Sequence, residues 1–206
     1  NGIPMSLATQ TLGPLLSRMT DLRSLGMNEC QLDDVTFAKL TPSLLNCTQL
    51  TCLQLSNNSF RNKTVDLLIA CFTQLHVLHL AYCGLEDDHI ARLVNGLHQH
   101  TRLRSLDVGF NELGPKSVEA LTNWPHLIHL EEVGLQSLWK QGISLLEDLL
   151  QQSLSLVEMW ESFPFRKTEA ICHNNLLRNA TLLSKSGNPE RGIGSLLVRR
   201  SRLPVK

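Results

Sequence analysis

Four segments of the chain repeat one template, and that repetition limits the fold more than any other feature. They are LRSLGMNECQL from Leu22, LTCLQLSNNSF from Leu50, LHVLHLAYCGL from Leu75 and LRSLDVGFNEL from Leu103. Each reads L-x-x-L-x-L-x-x-(N/C)-x-(L/F), with Met27 and Val108 in the sixth slot. The starts lie 28, 25 and 28 residues apart. Degenerate copies follow from Leu127 (LIHLEEVGLQS) and Leu154 (LSLVEMWESFP), the former with Glu132 in an apolar slot and Leu135 in the Asn/Cys slot. A period of this length belongs to a solenoid, in which each unit is too small to bury its own apolar face and stacks on its neighbours instead. The composition agrees: the core is aliphatic, with 42% apolar residues and only 5% aromatics.

The template dictates its own geometry. Leucines in slots one, four and six point inward from a short strand. The ninth-slot side chain sits inside the following turn, where Asn58 and Asn111 satisfy backbone groups that would otherwise cost about 1–3 kcal/mol each. Cys30 and Cys83 do the same through a weaker thiol donor. A helix then returns the chain, and helical spacing is visible in VTFAKLTPSLLNC, TVDLLIACF, HIARLVNGLHQ and SVEALTNW. Asp33, Asp87 and Asp88 stand where a helix start favours an acid, and Pro115 fits a first turn. The pattern resembles the leucine-rich repeat, and the long unit with a full helix resembles its ribonuclease-inhibitor-like class. The resemblance implies an α/β horseshoe of about five to six repeats, with a parallel concave sheet and convex helices, that binds proteins and carries no cofactor.

The ends read differently. Residues 6–18 read as the helix half of a unit whose strand is missing or lies upstream, with Gly13-Pro14 interrupting or bounding it. Residues 1–166 hold the repeats. Residues 167–185 resemble a closing helix, with Arg178-Asn179 before its last leucines, and 186–206 read as a flexible basic tail. The chain is therefore expected to be the C-terminal part of a longer array. Lys+Arg and Asp+Glu balance at 19 each, which offers no whole-chain attraction to nucleic acid or anionic membrane. No apolar run is long enough for a membrane span. Six cysteines without a CxxC pair favour a reducing, cytoplasmic address, against which stand four glycosylation sequons at Asn46, Asn57, Asn62 and Asn179.

Slots three, five, seven and eight project from the sheet, so the exposed columns can be read from the sequence. Slot three runs Ser24, Cys52, Val77, Ser105, His129, and slot five runs Gly26, Gln54, His79, Asp107, Glu131, Glu158. Slot seven runs Asn28, Ser56, Ala81, Gly109, Val133, Trp160, and slot eight runs Glu29, Asn57, Tyr82, Phe110, Gly134, Glu161. Tyr82 and Phe110 are neighbours in one column, and exposed aromatics anchor protein interfaces. Asp107, Glu131, Glu132, Glu158 and Glu161 make an acidic half that would steer a basic partner. The binding set is thus Tyr82, Phe110, His79, Asp107, Glu131 and Trp160. Cys52, His79 and Asp107 mimic a nucleophile, base and acid, but about 8 Å separates the Cα atoms of Cys52 and His79, and no oxyanion hole is in view. A metal on His79, Asp107 and His129 is the other chemical possibility considered. Asp107 beside His79 is expected to raise the histidine's pKa.

These features describe a non-enzymatic module for protein–protein interaction. Residues 28–59 also resemble the C-terminal repeats of the family of antigens preferentially expressed in melanoma. That family consists of substrate receptors of ubiquitin ligases, and the chain beyond residue 127 departs from its pattern. A structural subunit of a large complex and a secreted bacterial effector are the remaining alternatives.

Overall fold

A computed structural model describes residues 5–137 and 158–160. Six three-residue strands form one parallel sheet in chain order. They are β1 (Ser24–Gly26), β2 (Cys52–Gln54), β3 (Val77–His79), β4 (Ser105–Asp107), β5 (Glu132–Gly134) and β6 (Glu158–Trp160). The helices are α1 (Met5–Leu16), α2 (Asp34–Leu45), α3 (Asn62–Cys71), α4 (Asp87–Gly96) and α5 (Pro115–Thr122). Each of α2–α5 begins twelve residues after the first leucine of its unit. The chain is an α/β leucine-rich-repeat solenoid.

The template leucines line up across the sheet. Leu25 faces Leu53, Leu53 faces Leu78, Leu78 faces Leu106 and Leu106 faces Val133. All but Leu25 are almost fully buried. Leu25 keeps partial exposure because β1 is an edge strand of the sheet. Slot six adds Met27, Leu55, Leu80, Val108 and Leu135 to the same core, and the helices contribute Phe37, Leu40, Leu68, Ile90, Leu93 and Leu121. Each buried leucine removes apolar surface worth about 1.5–3 kcal/mol from water. Phe37 sits edge-on to Phe60, with ring centroids 5.7 Å apart.

Polar ties hold the units in register and recur every second unit. Asn58 Oδ1 accepts from the backbone N–H groups of Cys30 and Leu32, while its Nδ2 donates to the carbonyls of Met27 and Leu55. Asn111 repeats this with Cys83, Leu85, Leu80 and Val108. The Cys83 thiol donates to Leu55 O at 3.3 Å, whereas that of Cys30 reaches Asn28 O within its own turn. On the helix side, Asp34 accepts from the N–H groups of Arg61, Lys63 and Thr64, and Asp87 from those of Gly114, Lys116 and Ser117. A carboxylate of one unit thus caps the next unit's helix. Both sets of ties recur after 53 residues, so the structural period is a pair of units.

Three sequence expectations need correction. The fifth unit begins at Leu130, because β5 pairs Glu132 with Ser105 and Val133 with Leu106. Leu127–His129 is instead a 3₁₀ turn. The reason is the cost of burying an unpaired charge: a start at Leu127 would put Glu132 in the sixth, core-facing slot, whereas Leu130 puts Val133 and Leu135 inside. The sixth unit likewise begins at Leu156, since Glu158 pairs with Glu132. Finally, Gly13-Pro14 does not end the first helix. Pro14 lies inside α1 near its C-terminus, where the missing N–H forfeits a single helical bond, and Ser17 N–H still reaches Gly13 O. The expected closing helix over 167–185 and basic tail over 186–206 lie outside the described residues, as does Glu161.

Candidate interaction face

The exposed face of the sheet is bounded by two rims that differ in chemistry. At the C-terminal ends of the strands, the eighth slot holds Glu29, Asn57, Tyr82, Phe110 and Ser137. Every one of them has left-handed backbone, with φ between 54° and 70°. The turn requires this, because the N–H of each eighth-slot residue from Glu29 to Phe110 bonds a seventh-slot carbonyl of the next unit: Ser56, Ala81, Gly109 and Gln136. Asparagine tolerates that conformation, but bulky side chains do so rarely and at a cost of about 1–3 kcal/mol. Tyr82 and Phe110 are therefore costly where they stand. They remain 50% and 39% exposed, with rings stacked 4.1 Å apart and 9° from parallel. Ala81 and Gly109 precede them in the chain, the Gln136 side chain packs over Gly109, and a Cβ on Gly84 would meet nothing within 4 Å. Glu29, Glu86 and Glu112 are exposed along this rim, with Arg61 held against Glu86 at 2.7 Å.

The opposite rim carries Arg23, His76 and Arg104, all exposed. Arg104 donates to the carbonyls of Thr101 and Leu103 and lies 3.4 Å from His126 Nε2. Glu131 stands on this rim. It occupies the second slot of its unit, in the bend before β5, rather than the fifth slot expected from the sequence. His129 lies in the 3₁₀ turn, away from slot three, which Glu132 takes. Slot five of the last two units holds Gly134 and Trp160 in place of Glu131 and Glu158. Slot seven of the fifth unit holds Gln136 and slot eight holds Ser137. The acidic half drawn from the sequence is therefore divided between the Arg104 rim, which holds Glu131, and the centre, which holds Asp107, Glu132 and Glu158.

Between the rims, His79 and Asp107 are opposed in register on β3 and β4. His79 Nε2 is 3.0 Å from Ser105 Oγ, and Ser105 Oγ donates to Glu132 Oε2 at 2.9 Å. Asp107 Oδ1 accepts from Gly109 N–H. Burial pushes the His79 pKa down, and Asp107 only partly offsets it, so the direction is opposite to the sequence expectation. Burial likewise raises the Asp107 carboxyl, against the opposing pull of Gly109 N–H and His79. Both groups are biased toward their neutral forms.

The arrangement does not support nucleophilic chemistry. Cys52 faces Val77, two residues short of His79. Ser105 is 3% exposed and commits its proton to Glu132, so its hydroxyl is out of a substrate's reach. His79, Asp107 and His129 are not brought together, and no metal-binding group of three His, Cys, Asp or Glu side chains occurs among the described residues. No helix among them is long and apolar enough to cross a membrane. No sequence signal marks the left-handed eighth slot, since its five residue types share no chemistry. The 30-residue spacing of Asp34 to Thr64 and of Asp87 to Ser117 was the available signal for the carboxylate ties.

The chain is similar to known proteins. A family described as "Leucine Rich repeat" matches residues 99–121. The chain is 31% identical over 134 residues to human NACHT, LRR and PYD domains-containing protein 14, covering 60% of this chain and 12% of the relative. It is 33% identical over 104 residues to bovine NACHT, LRR and PYD domains-containing protein 5, covering 48% of this chain and 10% of the relative. The chain thus aligns with only about a tenth of the length of these relatives. Among solved structures, an internalin from Listeria monocytogenes has a TM-score of 0.50 at 22% identity, covering 78% of this chain and 48% of that one. The tropomodulin C-terminal domain of Caenorhabditis elegans gives 0.49 at 13% identity, covering 93% and 97%.

Proposed function

We propose that this chain, a leucine-rich-repeat protein by sequence and by fold, is a non-enzymatic module that binds a protein partner across the exposed face of its sheet. The observation that carries the reading is the pair of stacked aromatics at Tyr82 and Phe110. Bulky side chains held exposed on left-handed backbone do not serve the core, which is complete without them, and large rigid rings are what protein interfaces use as anchors. His79 and Asp107 line the floor beside them. Glu131 supplies a charge on the far rim, and β6 carries Trp160 in the fifth slot. The ribonuclease-inhibitor-like class fits a unit with a full helix and a paired period. A cytoplasmic setting fits thiols that are unpaired at Cys30, Cys47, Cys52, Cys71 and Cys83.

The test is affinity capture from cell extract with two baits, the wild-type chain and a Tyr82→Ala, Phe110→Ala double variant, followed by mass spectrometry. A protein retained by the first and lost from the second supports the reading. Identical captures from two folded baits would move the interface elsewhere.

A further inference from the structure

The aromatic rim carries information about its occupant. Tyr82 and Phe110 stack on each other across adjacent strands yet stay largely exposed, and Asn57 and Ser137 are the next residues of their column on either side. Neither neighbour is large enough to cover a ring. Ala81 and Gly84 add little bulk at the base, and the Gln136 side chain packs over Gly109. What remains is an exposed aromatic stack that a planar group can continue. The charges bordering it are predominantly acidic. Glu112 follows Phe110 by two residues, Glu29 shares the column, and Glu86 lies in the turn after Tyr82. Arg61 neutralises only one of these, through its pair with Glu86.

On this basis, and resting on the protein-binding reading above, we propose that the exposed stack receives an arginine side chain from an extended segment of the partner protein, laid on Phe110 and neutralised by Glu112, two residues further on. Guanidinium is the one protein cation that is also planar, and it stacks on aromatic faces while a carboxylate holds its edge. A lysine supplies the charge without the plane. A neutral aromatic supplies the plane but leaves Glu112 desolvated and unpaired, which is costly.

Tyr82 is the chain's one tyrosine, so tyrosine carrying carbon-13 in the ring reports this site alone in an NMR titration. The probes are three short acetylated peptides of alternating glycine with arginine, lysine or citrulline. The arginine peptide is expected to shift the Tyr82 ring resonances saturably and to bind about tenfold more tightly than the lysine and citrulline peptides. Phe110→Ala should abolish the shift, and Glu112→Gln, which leaves the rings in place, should weaken binding several-fold and reduce its salt dependence. Equal affinity for the arginine and lysine peptides, or no Tyr82 shift at millimolar arginine peptide, overturns the proposal. The two readings fail separately. A captured partner that needs Tyr82 and Phe110 yet tolerates replacement of its arginines by lysine leaves the interaction face standing and removes the arginine.

Discussion

The side-chain oxygen of Asn111 lies 2.9 Å from the backbone nitrogen of Cys83, one unit earlier in the solenoid, and accepts its proton. With Leu85 N–H on the same oxygen and two carbonyls on the amide nitrogen, the side chain satisfies four backbone groups in the interior. Asn111→Ala leaves them without a protein partner, and a loss of about 2–4 kcal/mol is expected. Cys83→Ala removes only a weak thiol donor and should cost less than half of that. Urea unfolding, read as a midpoint shift at constant slope, measures both.

The carboxylates that cap neighbouring helices predict an acid limb. Burial pushes the Asp87 pKa up, but the hydrogen bonds from Ser117, Lys116 and Gly114 outweigh it and hold it below the ordinary value; Asp34 behaves in the same way. A carboxyl with a lowered folded-state pKa contributes stability that is present above about pH 4 and lost as pH falls through its folded value. Asp87→Asn should therefore destabilise at neutral pH by about 1–2 kcal/mol and flatten the stability profile below pH 4.

Histidine titration predicts a second limb at higher pH. His100 is almost fully buried, with Nε2 3.1 Å from Ile69 O. Burial lowers its pKa, and the hydrogen bond to Ile69 only partly opposes this. The unfolded chain takes up the proton first, so stability declines as pH falls from about 6.5 toward the folded value. His100→Gln should remove part of that slope in a pH series of thermal unfolding, whatever its effect at pH 8.

Much of the fold is legible in the sequence because the inward leucines have no other use. Leu53, Leu78 and Leu106 were aligned by their template alone, and the structure stacks them in that order. The start of the fifth unit is ambiguous in the sequence because Leu127 and Leu130 both satisfy the first half of the template, and only the charge of Glu132 separates them. A start at Leu127 puts Glu131 in the fifth slot on the sheet, whereas the structure holds it on the rim with Arg104. The eighth-slot backbone was hidden, since φ is set by bonds to the next unit and not by the residue. The direction of the His79 shift was hidden too, because burial by adjacent strands outweighs the visible neighbour Asp107.

The aromatic stack predicts a separation of binding from stability. In Tyr82→Gly with Phe110→Gly, relief of left-handed strain offsets the lost stack, worth about 0.5–1.5 kcal/mol. Unfolding free energy should change by less than about 1 kcal/mol, while partner affinity falls at least tenfold. By contrast, Leu78→Ala in the core should cost about 2–5 kcal/mol. Calorimetry of all three chains, with titration of the captured partner, separates the two effects.

The most direct measurement is amide hydrogen exchange of the chain alone and saturated with its captured partner. The expected result is added protection at the strand ends and turns, residues 79–84 and 107–113, with helices α2–α4 unchanged. Protection confined to 34–45, 62–71 and 87–96 would place the partner on the helical side and contradict an interaction face on the sheet.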